Sequence, residues 1–383
     1  MEAYLDNAAT TKIDPKVLEA MAPYLTEQYG NAHSFHTPGK KANEALERSR
    51  EVIASKINTE PGDVIFTSGG TESNNFALKG IAVAHKTKGN HIITSSIEHA
   101  SVLDTCKALE KQGCKVTYLK VDREGFVNPQ DVANAITEKT ILVSIMHANN
   151  EIGTLQPLAE IGKICREKKV LFHTDAVQSF CKTNIDVETM LIDLMSLSAH
   201  KIHGPKGIGA LYIRQGTKIE PLLHGGEQEF DKRSGTVNVA GAVGFAKAVQ
   251  CMLPTDIEIM QRLRDKAVQN ILEHIPFTHL NGPHDSTKRL CNNINISFEY
   301  LEADSLLQQL DNNHVSVSTG SACESFSLKP SHVLQAIGLG PELSQGTLRF
   351  TLSKFTTAEE IEYALATITK VAEHLRKISV LTK

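Results

Sequence analysis

Between about residues 60 and 215, short apolar runs alternate with stretches of helical spacing. The runs are Val64-Ile65-Phe66-Thr67, His91-Ile92-Ile93-Thr94, Val116-Thr117-Tyr118-Leu119, Ile141 to Ile145, Val170 to His173, Leu191 to Leu197 and Ile208 to Ile213. Helical patterns cover Glu72 to Ala84 and Ser101 to Leu109. Continuous apolar strands separated by helices predict a mostly parallel sheet covered on both faces, an α/β architecture. In such sheets the chemistry gathers at the carboxyl ends of the strands.

The flanks differ from this centre. Ala42, Ala45, Leu46, Ser49, Val52, Ile53 and Ile57 recur at helical spacing ahead of the first strand. Beyond residue 255 the pattern predicts a long helix over 256–273, strands near 276–280 and 291–297, a helix near 302–310 and a strand near 315–318. A last helix opens at a capping box of Thr357 and Glu360. The expected division is a large domain over 12–255 and a smaller α+β domain over 256–383, completed by an N-terminal arm over 1–11.

Composition narrows the function classes. The 383 residues are 41% apolar and 22% charged, with a net charge of −4. This is an ordinary globular composition without the basic field that nucleic acid requires. No apolar run approaches the roughly 18–20 residues of a membrane span. The opening residues lack a signal-peptide profile, so a cytoplasmic location is expected. Seven cysteines (106, 114, 165, 181, 251, 291 and 323) show no Cys-x-x-Cys spacing, which gives no zinc site.

Several short segments carry chemistry. Lys201, in Ser198-Ala199-His200-Lys201, follows an apolar strand. A lysine at a strand end is suited to a Schiff base, although a lone lysine is usually an exposed loop residue. His200 and His203 suggest a metal pair but lack a third ligand nearby, so no metal is expected. Asp175, past the strand ending at His173, could keep a pyridinium nitrogen protonated or simply cap a helix. The Gly69-Gly70-Thr71 turn offers backbone amides to a phosphate, or serves as a plain βα turn. His99 could stack on a planar ring and shuttle protons. Asn150 could bond a phenolic oxygen, or belong to turn chemistry. Cys323, among Gly320-Ser321-Ala322, reads as an accessible nucleophile or as small-residue packing. Arg349, in an alternating strand, could clamp a carboxylate or lie on a polar surface.

Order and spacing decide among these readings. The series Gly-Gly-Thr-Glu-Ser-Asn-Asn, Glu-His, Asn-Asn-Glu-x-Gly, His-x-Asp-Ala-x-Gln, Ser-x-His-Lys-x-x-Gly-Pro-Lys-Gly, Arg-Ser-Gly-Thr and Gly-Ser-Ala-Cys strongly resembles the cysteine desulfurases of the NifS/IscS type. The likeness runs from Tyr4-Leu5-Asp6-Asn7-Ala8-Ala9-Thr10-Thr11 to the last helix. It implies a fold-type I enzyme of the class V aminotransferase group that uses pyridoxal 5'-phosphate and works as a homodimer. By that resemblance Lys201 carries the cofactor, Asp175 pairs its ring nitrogen, and His99 stacks on the ring. Asn150 and Gln178 reach its phenolic oxygen. Gly70, Thr71, Ser198 and His200 hold its phosphate, as does Thr236 of a neighbouring subunit. Asn31 and Arg349 bind the carboxylate of the L-cysteine substrate. Cys323 accepts the sulfur, leaving L-alanine and a persulfide that passes to an iron–sulfur scaffold or another acceptor. Selenocysteine lyase and aminotransferase chemistry are the neighbouring alternatives. The sequence departs from the family at Gly30-Asn31-Ala32-His33-Ser34, where Asn-Pro-Ser-Ser is usual, and at Ser353-Lys354.

Overall fold

The computed structural model describes residues 1–319 and 331–379. The chain opens with strand β1 (Ala3–Tyr4) and helices α1 (Pro15–Thr26) and α2 (Thr37–Lys56). The alternating centre follows as β2 (Val64–Thr67), α3 (Gly70–Ala84), β3 (His91–Ser95), α4 (Ala100–Glu110), β4 (Lys115–Leu119), α5 (Pro129–Ala135), β5 (Thr140–Ser144), α6 (Leu158–Glu167), β6 (Leu171–Asp175), β7 (Leu194–Ser198) and β8 (Gly209–Ile213). Its strands form one seven-stranded sheet in the order β2-β8-β7-β6-β5-β3-β4. Only β8 runs against its neighbours.

Successive residues of each inner strand feed opposite cores, as the pleat demands. Ile93, Val143 and Met195 join one apolar cluster, while Ile92, Leu142 and Leu194 join a second with Phe76 and Ile81 of α3. Burial on both faces explains why these strands read as unbroken apolar runs. The edge strand β4 is half exposed.

Two of the boundaries that differ from the sequence expectation bear on the site. Strand β6 continues past His173 to Asp175. The polar positions there are bonded within the sheet: His173 bridges Ser144 Oγ (2.8 Å) and Ser196 Oγ (3.0 Å) on the two neighbouring strands. A buried polar group paired in this way belongs to the sheet interior. Helix α3 begins at Gly70, so the glycine turn is the helix start itself.

The rest of the chain adds α7 (Val239–Cys251), α8 (Pro254–His274), β9 (Thr278–Leu280), β10 (Asn293–Phe298), α9 (Ala303–Asn312), β11 (Val315–Ser316), α10 (His332–Ala336), α11 (Pro341–Gln345), β12 (Thr347–Thr351) and α12 (Ala358–Ile378). Three of these strands form an antiparallel sheet in the order β12-β10-β9, and β11 stands apart in a two-stranded parallel sheet with β1. Helix α12 starts at the capping box: Glu360 N donates to Thr357 Oγ1 (3.2 Å) and Thr357 N to Glu360 Oε2 (2.7 Å). The N-terminal arm joins both sheets. Strand β1 pairs with β11, Thr351 N donates to Leu5 O, and the arm then passes Ala8 and Ala9 in front of Lys201.

Candidate active site

Five strand ends converge on one pocket, with β2, β3, β5, β6 and β7 each handing it residues from the turn beyond the strand. Gly70, Thr71, His99, Asn150, Asp175, Gln178, Ser198, His200, Lys201 and Arg349 all line it.

Lys201 ends a single 3-10 turn, Ala199–Lys201, that directly follows β7. Its Nζ donates to the carbonyls of Ala8 and Ala9, the latter at 2.7 Å. The N-terminal arm therefore aims the amine. Behind it His200 Nδ1 meets Thr10 Oγ1 at 3.2 Å. Burial, helped by Lys201, Lys206 and Lys182, pushes the His200 imidazole down to about 4, so it is neutral near pH 7.

Asp175 closes β6 and is 6% exposed. Its Oδ1 accepts from Val177 N (2.9 Å) and its Oδ2 from Asn74 Nδ2 (2.7 Å). Asn74 lies one turn into α3. The same Asn74 nitrogen reaches Ser101 Oγ (2.8 Å), and that hydroxyl lies 2.8 Å from His99 Nδ1. His99 is the N-cap of α4 and accepts from Ser101 N at 3.1 Å. Behind this wall Glu98 is fully buried, and burial raises its carboxyl to about 8.

The glycine turn shows why side chains are excluded there. Gly69 has φ +151°, a conformation that favours glycine. A Cβ on Gly70 would lie 2.6 Å from Val177 Cγ2. Gly209, at the start of β8, would place a Cβ 2.6 Å from Gly69 Cα. These close approaches set the first turn of α3, whose Gly70 and Thr71 line the pocket beside Ser198 and His200.

Arg349 comes from the middle of β12 and is 2% exposed, so it is a pocket residue and not a surface one. It pairs with Asp6 of the N-terminal arm (2.9 Å) and donates to Asn150 O (3.2 Å). Gln178 also contacts the arm, donating to Ala8 O at 3.0 Å.

Other expected residues lie elsewhere. Asn31 is exposed, its Oδ1 accepting from His33 N (3.0 Å), and Thr236 is exposed as well; neither lines this pocket. Cys323 lies outside the described residues. The chain on either side of that segment reaches the pocket wall. Ser318 pairs through its backbone with Arg349, Ser331 Oγ donates to Glu151, and His332 Nε2 meets Glu98 O at 2.9 Å. Glu151 and His332 line the pocket with Asn74 and Ser101, four residues without an assigned role at the sequence level. Asn74 had one signal there: it stands four residues after Gly70, on the same face of the helix.

The aminotransferase class-V family matches residues 3–364. A protein described as cysteine desulfurase IscS from Dictyoglomus turgidum is 52% identical over 381 residues, covering 99% of this chain and 96% of that one. Among solved structures, a NifS-like protein superposes with a TM-score of 0.91 at 39% identity, covering 98% of this chain and 100% of the other. A structure described as SspA in complex with cysteine gives 0.83 at 38% identity, covering 93% and 100%.

Proposed function

The chain belongs to the aminotransferase class-V family and to the cysteine desulfurases within it, and on that premise we propose how its pocket takes sulfur from L-cysteine and releases L-alanine. The fold is that of the fold-type I enzymes, and the family works with pyridoxal 5'-phosphate. When bound, that cofactor supplies an electron-poor ring that lets the substrate Cα–H bond break and its C–S bond weaken.

The observation that carries the reading is the meeting of Lys201 and Asp175 in one pocket with a glycine turn at a helix start. The donor set fits the group: amine, carboxylate, imidazole and backbone amides surround one cavity, and Asn74 Oδ1 is buried there without a hydrogen-bond partner. Gly70, Thr71, Ser198 and neutral His200 would hold the phosphate. Asp175 would accept a hydrogen bond from the ring N–H and so keep the ring protonated, His99 would cover the ring, and Asn150 and Gln178 would reach its phenolic oxygen. Thr236, exposed on this chain, would complete the phosphate site of a second copy in a homodimer.

Lys201 Nζ serves as the base that takes the α-proton. Arg349 holds the substrate carboxylate from the opposite wall, its orientation set by Asp6. The Cys323 thiolate then attacks the substrate sulfur. An S–S bond forms, the C–S bond breaks, and its electron pair stays with the three-carbon fragment, which leaves as alanine after taking up protons. The persulfide on Cys323 passes to an acceptor for iron–sulfur cluster assembly or other sulfur transfer. Among the described residues no helix is long and apolar enough to cross a membrane.

The test is alanine and sulfide release from L-cysteine with a thiol reductant, wild type beside Cys323→Ser. Wild type should release both, while the variant keeps bound cofactor and loses turnover. Undiminished sulfide from Cys323→Ser would remove that residue from the mechanism.

A further inference from the structure

The wall behind the cofactor site is a directed hydrogen-bond chain. Asn74 Nδ2 lies 2.7 Å from Asp175 Oδ2 and 2.8 Å from Ser101 Oγ. An amide nitrogen has two protons and accepts nothing, so both neighbours must accept. Exchanging the amide oxygen and nitrogen would set two acceptors face to face at Asp175, so the carboxylate fixes the orientation. Ser101 Oγ, accepting from Asn74, keeps its own proton to give, and His99 Nδ1 lies 2.8 Å away. The backbone N–H of Ser101 aims at the same Nδ1 from 3.1 Å and can only donate. A lone pair must therefore stand on Nδ1, and the neutral ring carries its proton on Nε2. The start of α4 places the positive end of a helix beside this ring, which opposes a second proton.

We propose that Asn74 and Ser101 are positioning residues that hold His99 in the Nε2-protonated tautomer and link that ring to Asp175 through one directed hydrogen-bond chain. Resting on the pocket assignment above, this changes what His99 does. It presents an N–H to the cofactor site and donates a hydrogen bond, and the α-proton goes to Lys201 alone. The other charged and titratable groups around the pocket are Lys201 and His200 beyond β7, Arg349 on β12, Glu151 beyond β5, His332 at the start of α10, and Glu98 behind the wall.

Two readouts test the chain. The first is long-range 15N NMR of the histidine-labelled holoenzyme, with His99 assigned by its loss in His99→Gln. The expected result is a pyrrole-type Nε2 and a pyridine-type Nδ1 above neutral pH. The second is the pH profile of cysteine turnover. Asn74→Ala should lower kcat about tenfold, the order expected for a group acting through its neighbour, with KM little changed. Its acid limb should move to higher pH, because the hydrogen-bond chain that fixes one proton arrangement along the pocket wall is cut. Ser101→Ala should move the limb the same way and Ser101→Thr, which keeps the hydroxyl, should restore it; this pair carries the test if Asn74→Ala does not fold. A proton on His99 Nδ1 in wild type, or wild-type kcat and pH profile in Asn74→Ala and Ser101→Ala, would overturn the proposal. A wild type that releases no alanine from cysteine sinks the functional reading instead, and leaves the tautomer measurement standing.

Discussion

The two sheets contribute to the pocket in opposite ways. The seven-stranded sheet delivers Asp175, Lys201, His99 and the glycine turn from strand ends, each supported by backbone or neutral partners. The three-stranded sheet delivers one cation, Arg349, from the middle of β12, opposite Asn295 of β10 and paired with Asp6. A strand end can exchange its chemistry when its turn changes. A mid-strand arginine is fixed by register, and a one-residue slip would turn it to the other face. The adaptable groups thus stand where the cofactor is handled, and the fixed cation stands where every amino-acid substrate has its carboxylate.

Substitutions test this division. Lys201→Ala should lower turnover by about a thousandfold or more, because both the cofactor attachment and the base are lost. The same variant should lose the absorbance of lysine-bound cofactor while keeping the fold in circular dichroism; retained turnover would contradict the assignment. Arg349→Gln should lower kcat/KM for cysteine by about a hundredfold, since a buried charge partner is removed and Asp6 is left unpaired. Cofactor absorbance should be unchanged. Loss of cofactor in Arg349→Gln would show that the smaller sheet supports both tasks.

Acid should separate the two regions more gently. Burial pushes His147 and His200 down to about 4 and His173 to about 3, and burial likewise lowers His203 to about 4. All four lie on or beside the seven-stranded sheet. In each case the folded value is below the ordinary one near 6.5, so the unfolded chain binds more protons between the two. Their contribution is complete above about pH 6.5 and is lost as the pH falls toward the folded values. Between pH 7.5 and 5, each fully buried histidine should cost about 2 kcal/mol. Urea unfolding at the two pH values measures this, and an unchanged midpoint would refute it.

Much of this was legible in the sequence for a physical reason. The strands of a doubly covered sheet are continuous apolar runs, so their ends are visible, and Asp175, Lys201 and His99 stand at those ends. Asn74 and Ser101 were not legible as site residues. Each is a polar residue in a helix, and only the packing of α3 against α4 brings them together. His173 resembled a strand terminus because its partners, Ser144 and Ser196, are distant in sequence. Arg349 could equally have faced solvent, since alternation along β12 does not reveal that both faces are buried.

Gly209 carries a consequence for how the enzyme is made. It opens β8 in register with Thr67 of β2 and Ser198 of β7. A nascent chain that has emerged only through Lys201 already holds the glycine turn, Asp175 and the lysine. It still lacks the strand that sits between β2 and β7 and sets their separation. During synthesis the phosphate turn and the lysine therefore reach working distance only after β8 has left the ribosome and inserted, a pairing that must close a long loop back to the first strand of the sheet.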